Sequence, residues 1–377
     1  MRETKTGMGH GLPAIDRRRF LQGASVATLA GAGLLPARRT LAATKASWVG
    51  WQGYDDPLKA GTFLADNDIE LVTSYINSNE EIITKLQAGG KGQTDLVTIY
   101  YGHVPILVAA GLAEPIDESR VPGIGDIFPE FLNVDVLRHD GKLYAVPFTW
   151  GTLSMIYDPA AIAAPTSWKD CLKDEVKGKV AMVDDMTGLL ATWAPIAVGT
   201  QTPTRLTMDQ LKASIDFLID IKKNHARTFS PSYGEAVDLF ARGEVVISAI
   251  GWDAMVGFAG VKGKTLAYVI PDEGAMVFMD TLVIPKDAPN LDIAYKLIGQ
   301  ATSAEGQKVI ADNLTQAIIT KAALPVIDAK NKEIYQYDNL AKLFEKARFY
   351  PFWPLEPEGD FVVFDQVLEE YQRFLKA

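Results

Sequence analysis

Cysteine is nearly absent: Cys171 is the only one in 377 residues. No internal disulfide can form, so the fold must hold by packing alone even in an oxidising compartment. Ser167-Trp168-Lys169-Asp170-Cys171-Leu172 reads as a short amphipathic helix with the thiol on its packed side, which predicts an inert cysteine. Histidine is scarce too. His10, His103, His139 and His225 are scattered, with no H-x-x-x-H or H-x-H pair, so no metal site is expected. The chain has no G-x-S-x-G, no G-x-x-x-x-G-K-[ST], no H-E-x-x-H and no G-x-G-x-x-G after a strand. A secreted hydrolase is therefore the weaker alternative, and no cofactor and no catalytic residue are expected. Asp184-Asp185 could serve chemistry or a metal, but adjacent carboxylates at a strand end more often cap a helix and meet solvent.

Positive charge is in deficit, at 37 Lys and Arg against 47 Asp and Glu. Part of it is gathered early. Arg17-Arg18-Arg19-Phe20-Leu21 precedes the uncharged run Gly23 to Pro36, and Thr40-Leu41-Ala42 offers small residues for cleavage. This is the anatomy of a twin-arginine export signal over residues 1–42, and it predicts a periplasmic protein. The apolar run falls short of the ~20 residues that span a bilayer, and no second long one follows. Residues 1–42 carry seven basic and two acidic side chains, so their removal leaves a net charge near −15. Such a chain repels nucleic acid and attracts cations. About 335 residues remain, enough for two domains of ordinary size.

Strand-like and helix-like segments alternate, which predicts an α/β fold with parallel sheets covered by helices. Ser47–Trp51, Glu70–Tyr75 and Asp95–Ile99 read as strands, with helices over Asp55–Ala65, after the capping box Ser78-Asn79-Glu80-Glu81, and over Val104–Ala110. A second series holds strands Thr152–Tyr157, Lys179–Val183, Glu244–Ile250, Leu266–Ile270 and Thr281–Pro285. Its helices start at the box Thr207–Gln210, at Ser232 and at Leu291. Arg348–Asp360 is too aromatic to stay solvated and reads as an ordered loop.

Aromatics recur beside strand ends, often with carboxylates: Trp51-Gln52-Gly53-Tyr54, Asp184-Asp185, Trp252-Asp253 and Phe278-Met279-Asp280. Ligands on open α/β sheets bind beyond the carboxyl ends of strands. A carboxylate offsets the desolvation of an organic ammonium, and an aromatic face holds its charge for about 0.5–2 kcal/mol. Asp253 could instead cap the helix Asp253–Ala259. Anion binders should place Arg or Lys at these positions. A binding protein for an organic acid, sugar acid or iron complex is thus the other alternative.

The chain resembles the spermidine/putrescine-binding proteins of bacterial polyamine ABC transporters. The strings that carry the likeness run in family order across most of the chain: Trp51-Gln52-Gly53-Tyr54, Asp95-Leu96-Val97, Pro115-Ile116-Asp117, Tyr144-Ala145-Val146-Pro147 with Trp150-Gly151, Lys177-Gly178-Lys179-Val180, Asp184-Asp185, Gly243-Glu244-Val245 and Met279 to Pro285. The resemblance implies a type II periplasmic-binding-protein fold of two α/β lobes with a ligand cleft between them. It implies crossings near Phe148–Gly151, Val277–Thr281 and Ala317–Leu324, with lobe one over 43–150 and 279–322 and lobe two over 151–278 and 323–377. It also implies a monomer that binds a small cationic amine by hinge closure and passes it to a membrane permease. Its matching positions make Trp51, Gln52, Tyr54, Tyr100, Tyr101, Asp185, Trp252, Asp253, Phe278 and Asp280 the ligand-binding set. Relatives selective for the longer polyamine often carry a glutamate where this chain has Gly188, and a tyrosine of the third crossing is replaced by Leu314-Thr315. Both departures favour a diamine such as putrescine.

Overall fold

The computed structural model describes residues 43–90 and 92–377. The export-signal reading of residues 1–42 lies outside the described residues. In chain order the strands are β1 (Thr44–Gly50), β2 (Ile69–Tyr75), β3 (Leu96–Tyr100), the short pair β4 (Arg138–His139) and β5 (Lys142–Leu143), and β6 (Val146–Leu153). Then come β7 (Met155–Tyr157), β8 (Val180–Val183), β9 (Ala226–Ser230), β10 (Ile247–Ser248), β11 (Ala267–Val269), β12 (Ala275–Val283) and β13 (Ala347–Arg348).

Two sheets carry the fold. The first runs β13-β12-β3-β1-β2, with β6 also on β12, and the second runs β11-β7-β10-β8-β9. Strand β1 is parallel to β2 and β3, and β8 is parallel to β9 and β10. Leu96-Val97-Thr98-Ile99 is buried throughout, as a strand flanked on both sides and covered by helices must be. Among the described residues, no helix is long and apolar enough to cross a membrane.

Two separate buried clusters match the two sheets. One gathers Trp48, Ile99, Phe131, Phe148 and Trp150, the other Trp168, Met182, Trp193, Ile215 and Phe240. Residues 323–347, placed in lobe two by the sequence reading, bury Ala323, Ile334, Tyr335, Leu340 and Ala347 in the first cluster. Only Trp353 to Phe374 joins the second. The third passage between cores therefore lies just after β13, which pairs with Ala275 and Met276. Ala317 is no passage. Thr149 and Trp150 of β6 bind the Ala317 and Ile318 carbonyls at 2.8 and 2.9 Å and hold that segment in the first core.

Local departures from the sequence reading have plain causes. Asp55–Ala65 is not one helix but a 3-10 turn, Pro57–Lys59, and a short helix, Phe63–Asp66, parted by Gly61 at φ +61. The Ser78 box does not form; Glu81 turns back to the Asn77 N–H at 3.0 Å instead. Pairing of the expected strand Glu244–Ile250 is confined to Ile247–Ser248. The Thr207 box does form, with Gln210 N donating to Thr207 Oγ1 and Thr207 N to Gln210 Oε1, and it opens the helix Met208–Asn224. Cys171 is fully buried, its thiol directed at the Ser248 carbonyl, and burial pushes its ionisation far up.

Candidate functional site

The polar centre of the site hangs on an irregularity. Strands β6 and β12 pair antiparallel, but the register shifts between Asp280, opposite Thr149, and Thr281, opposite Pro147. Pro147 has no N–H to donate, and Phe148 is left without a partner residue. Bulges of this kind re-aim side chains. Here Asp280 turns toward the end of β1, where it accepts the Tyr54 hydroxyl at 2.7 Å. Phe148 packs edge-on against the Tyr54 ring, and Gln316 Nε2 donates to the Tyr54 oxygen at 3.0 Å. Burial pushes the Asp280 carboxyl up to about 6, against the pull of Tyr54.

Asp185 stands on the other side, just past β8. It caps the helix Met186–Val198 by accepting the Gly188 N–H at 2.8 Å, and it accepts the Tyr233 hydroxyl at 2.6 Å. Burial raises its carboxyl as well. Trp252 meets Tyr233, Phe258 and Phe278 edge-on, and its indole N–H is buried without a partner. Gly151 lets Phe278 lie this close, since a Cβ there would sit 2.6 Å from its ring.

Tyr54, Asp185, Tyr233, Trp252, Phe278, Asp280 and Gln316 line one cavity of about 580 Å³. Its wall carries three carboxylates, Glu80, Asp185 and Asp280, and eight aromatics: Trp51, Tyr54, Tyr100, Tyr233, Trp252, Phe278, Phe352 and Phe364. Among the described residues, no lysine or arginine lines it. The Tyr100 hydroxyl, hard to ionise first because it is buried, also feels both Asp185 and Asp280.

Residues 60–337 match the family of bacterial extracellular solute-binding proteins. The chain belongs to that family. It is 29% identical over 317 residues to the putrescine-binding periplasmic protein PotF of Escherichia coli, covering 78% of this chain and 84% of the relative. It is 26% identical to the spermidine/putrescine-binding periplasmic protein of the same species, over 87% of this chain and 90% of the relative. In structure it resembles the spermidine/putrescine transporter substrate-binding protein PotD of Streptococcus pneumoniae, with a TM-score of 0.71 at 22% identity, over 88% of this chain and 98% of that one. This likeness shows the type II periplasmic-binding fold.

Within this solute-binding fold, Trp51, Tyr54, Tyr100, Asp185, Trp252, Phe278 and Asp280 meet on the cavity wall. Gln52 is exposed and lies off it. Tyr101 points away, its hydroxyl bonded to the Tyr350 backbone at 2.5 and 2.9 Å. Asp253 also lies off the wall and holds β6, accepting Thr152 N at 2.6 Å and Thr152 Oγ1 at 2.9 Å. Nor does it cap a helix, since the next one starts at Met255. Glu80, His103, Tyr233, Gln316, Phe352 and Phe364 line the cavity without having been singled out. Tyr233 reads from sequence only as the start of a helix, and Glu80 only as part of a capping box. A Cβ at Gly188 would sit 2.3 Å from Ile250 Cδ1, 2.7 Å from the Asp185 carboxylate and 2.8 Å from Leu153 Cδ1, so a longer side chain there needs these side-chain ends to shift.

Proposed function

We propose that this solute-binding protein captures a polyamine, putrescine or another small cationic amine, between its two lobes and delivers it to an ABC importer. The cavity wall carries this reading: three carboxylates, eight aromatic rings and no cationic side chain. The carboxylates supply counter-charge for ammonium groups, and the rings hold methylenes and charge together. Polyamine-binding relatives in the same family support it. Closure about the three passages between cores would shut out water and present one surface to a membrane permease. The protein then works in the periplasm as a monomer and does no covalent chemistry; Arg17-Arg18 and the apolar run after them support twin-arginine export. An organic acid or sugar acid would meet only like charge on this wall.

A thermal-shift screen of the mature protein against diamines, triamines, amino acids and organic acids tests the reading. Ligand present at 100 times its dissociation constant stabilises the native state by about 2.7 kcal/mol. Amines should raise the melting temperature by several degrees and dicarboxylates should not; the reverse pattern would sink the proposal.

Affinity should also depend on pH, with a definite sign. The empty cleft holds Asp280 near 6, and an ammonium binds its ionised form. Affinity should be flat above pH 7 and fall as pH drops through 6, approaching tenfold per unit in the limit for each such group. Asp185 acts in the same direction. Between pH 7.5 and 5.0 we expect about a tenfold loss for a diamine, by titration calorimetry. A constant unchanged down to pH 5 would contradict the buried-anchor role of Asp280.

A further inference from the structure

Two of the three cleft carboxylates are engaged by phenols, Asp280 by Tyr54 and Asp185 by Tyr233. Glu80 is not. Its partner is His103, with Nε2 and Oε1 3.1 Å apart. His103 is only 3% exposed, with its ring 4.4 Å from that of Phe352. Its other nitrogen, Nδ1, is buried without a hydrogen-bond partner. When Nε2–H donates to Glu80, Nδ1 is left as a buried acceptor without a donor.

The pair is fixed to the rest of the cleft. Asn79, next to Glu80, accepts the Tyr100 N–H at 3.0 Å, and Tyr100 stands opposite Asp280 across β3 and β12. The hydrogen bond to His103 holds the Glu80 carboxyl down at about 2, so it stays ionised while burial raises the other two. A diamine can neutralise two carboxylates of this wall and leaves the third.

We propose that Glu80 and His103 form a third nitrogen-binding station of the cleft and set its preference for a triamine over a diamine. This rests on the amine reading above. Glu80 supplies the charge, and His103 positions it.

Titration calorimetry with putrescine and spermidine tests it on wild type, Glu80→Gln, Glu80→Asp and His103→Leu, with apo melting curves as a check on folding. Wild type should bind spermidine about three- to fivefold more tightly than putrescine. The Glu80 side chain is half exposed, so Glu80→Gln should weaken spermidine about three- to fivefold and putrescine by less than about twofold, through lost long-range attraction. Glu80→Asp should recover part of the ratio, and His103→Leu should narrow it; a merely structural role would weaken both ligands together. A Glu80→Gln protein that keeps the wild-type ratio would overturn the proposal, as would a wild type that prefers putrescine. Either result leaves the amine reading standing. A wild type that binds neither amine fails that reading and this one with it.

Discussion

Asp280→Asn should weaken amine binding about 30- to 150-fold, roughly 2–3 kcal/mol, while the fold survives. Asparagine keeps the size of the side chain, and its Oδ1 can still accept the Tyr54 hydroxyl that Asp280 accepts at 2.7 Å. What it loses is the charge that would face a buried ammonium. Uncompensated charge in a water-poor site costs several times an exposed ion pair. The bulge that turns Asp280 toward Tyr54 lies in the backbone of β6 and β12 and should not respond to the change. Titration calorimetry of both proteins with one diamine measures the effect. An unchanged dissociation constant, with apo melting also unchanged, would remove Asp280 from the binding set.

Asp253→Asn should stabilise the empty protein at pH 8 by about 2–4 kcal/mol, and this gain should disappear by pH 4. Burial pushes the Asp253 carboxyl up to about 7, only partly offset by its bonds from Thr152 and the nearby Ala254 N–H and Tyr335 hydroxyl. Its Oδ1 is buried without a partner. Because the folded state holds this proton more tightly than the unfolded chain, stability from this group is greatest at low pH. It falls as pH rises from about 4 to 7 and is fully lost above that. Asparagine stays neutral throughout and can still accept from Thr152. Asp280 titrates in the same window but is present in both proteins, so it cancels in the comparison. Urea unfolding of both proteins at pH 4 and pH 8 reads the difference. Equal stability at pH 8 would show that Asp253 is solvated or paired in solution. In either case the residue ties the loop after β10 to β6.

The sheet-forming segments were legible because their signal is local. Leu96-Val97-Thr98-Ile99 is a β-branched-rich run, Val180 to Val183 an unbroken apolar one, and Thr207–Gln210 is a helix start written in four residues. Local signal failed where tertiary structure decides. Glu244–Ile250 is apolar enough for a long strand, yet only Ile247 and Ser248 find partners. Ala317 looks like a passage between lobes by position, but hydrogen bonds from Thr149 and Trp150 keep it in the first core. The passage falls after Ala347, which periodicity could not indicate.

The same division holds for the cleft. Trp51, Tyr54, Trp252 and Phe278 could be picked out because aromatics recur beside strand ends together with carboxylates and match positions of the family resemblance. Asp185 and Asp253 were indistinguishable as residues, each a carboxylate after a strand. Only the fold shows that one faces the cavity and the other β6. Tyr100 and Tyr101 differ by one step along the chain and therefore by opposite directions, one toward the cleft and one toward Tyr350. Glu80 and His103 are 23 residues apart, and no motif joins them. Their pairing exists only once β3 and the helix Asn79–Lys85 are packed together.

The most direct test is titration calorimetry of the mature protein at pH 7.5 with two ligands of matched length and opposite charge, putrescine and succinate. Saturable 1:1 binding of putrescine with no heat from succinate is the predicted result. Saturable binding of succinate, with putrescine silent, would contradict a cleft built for cations.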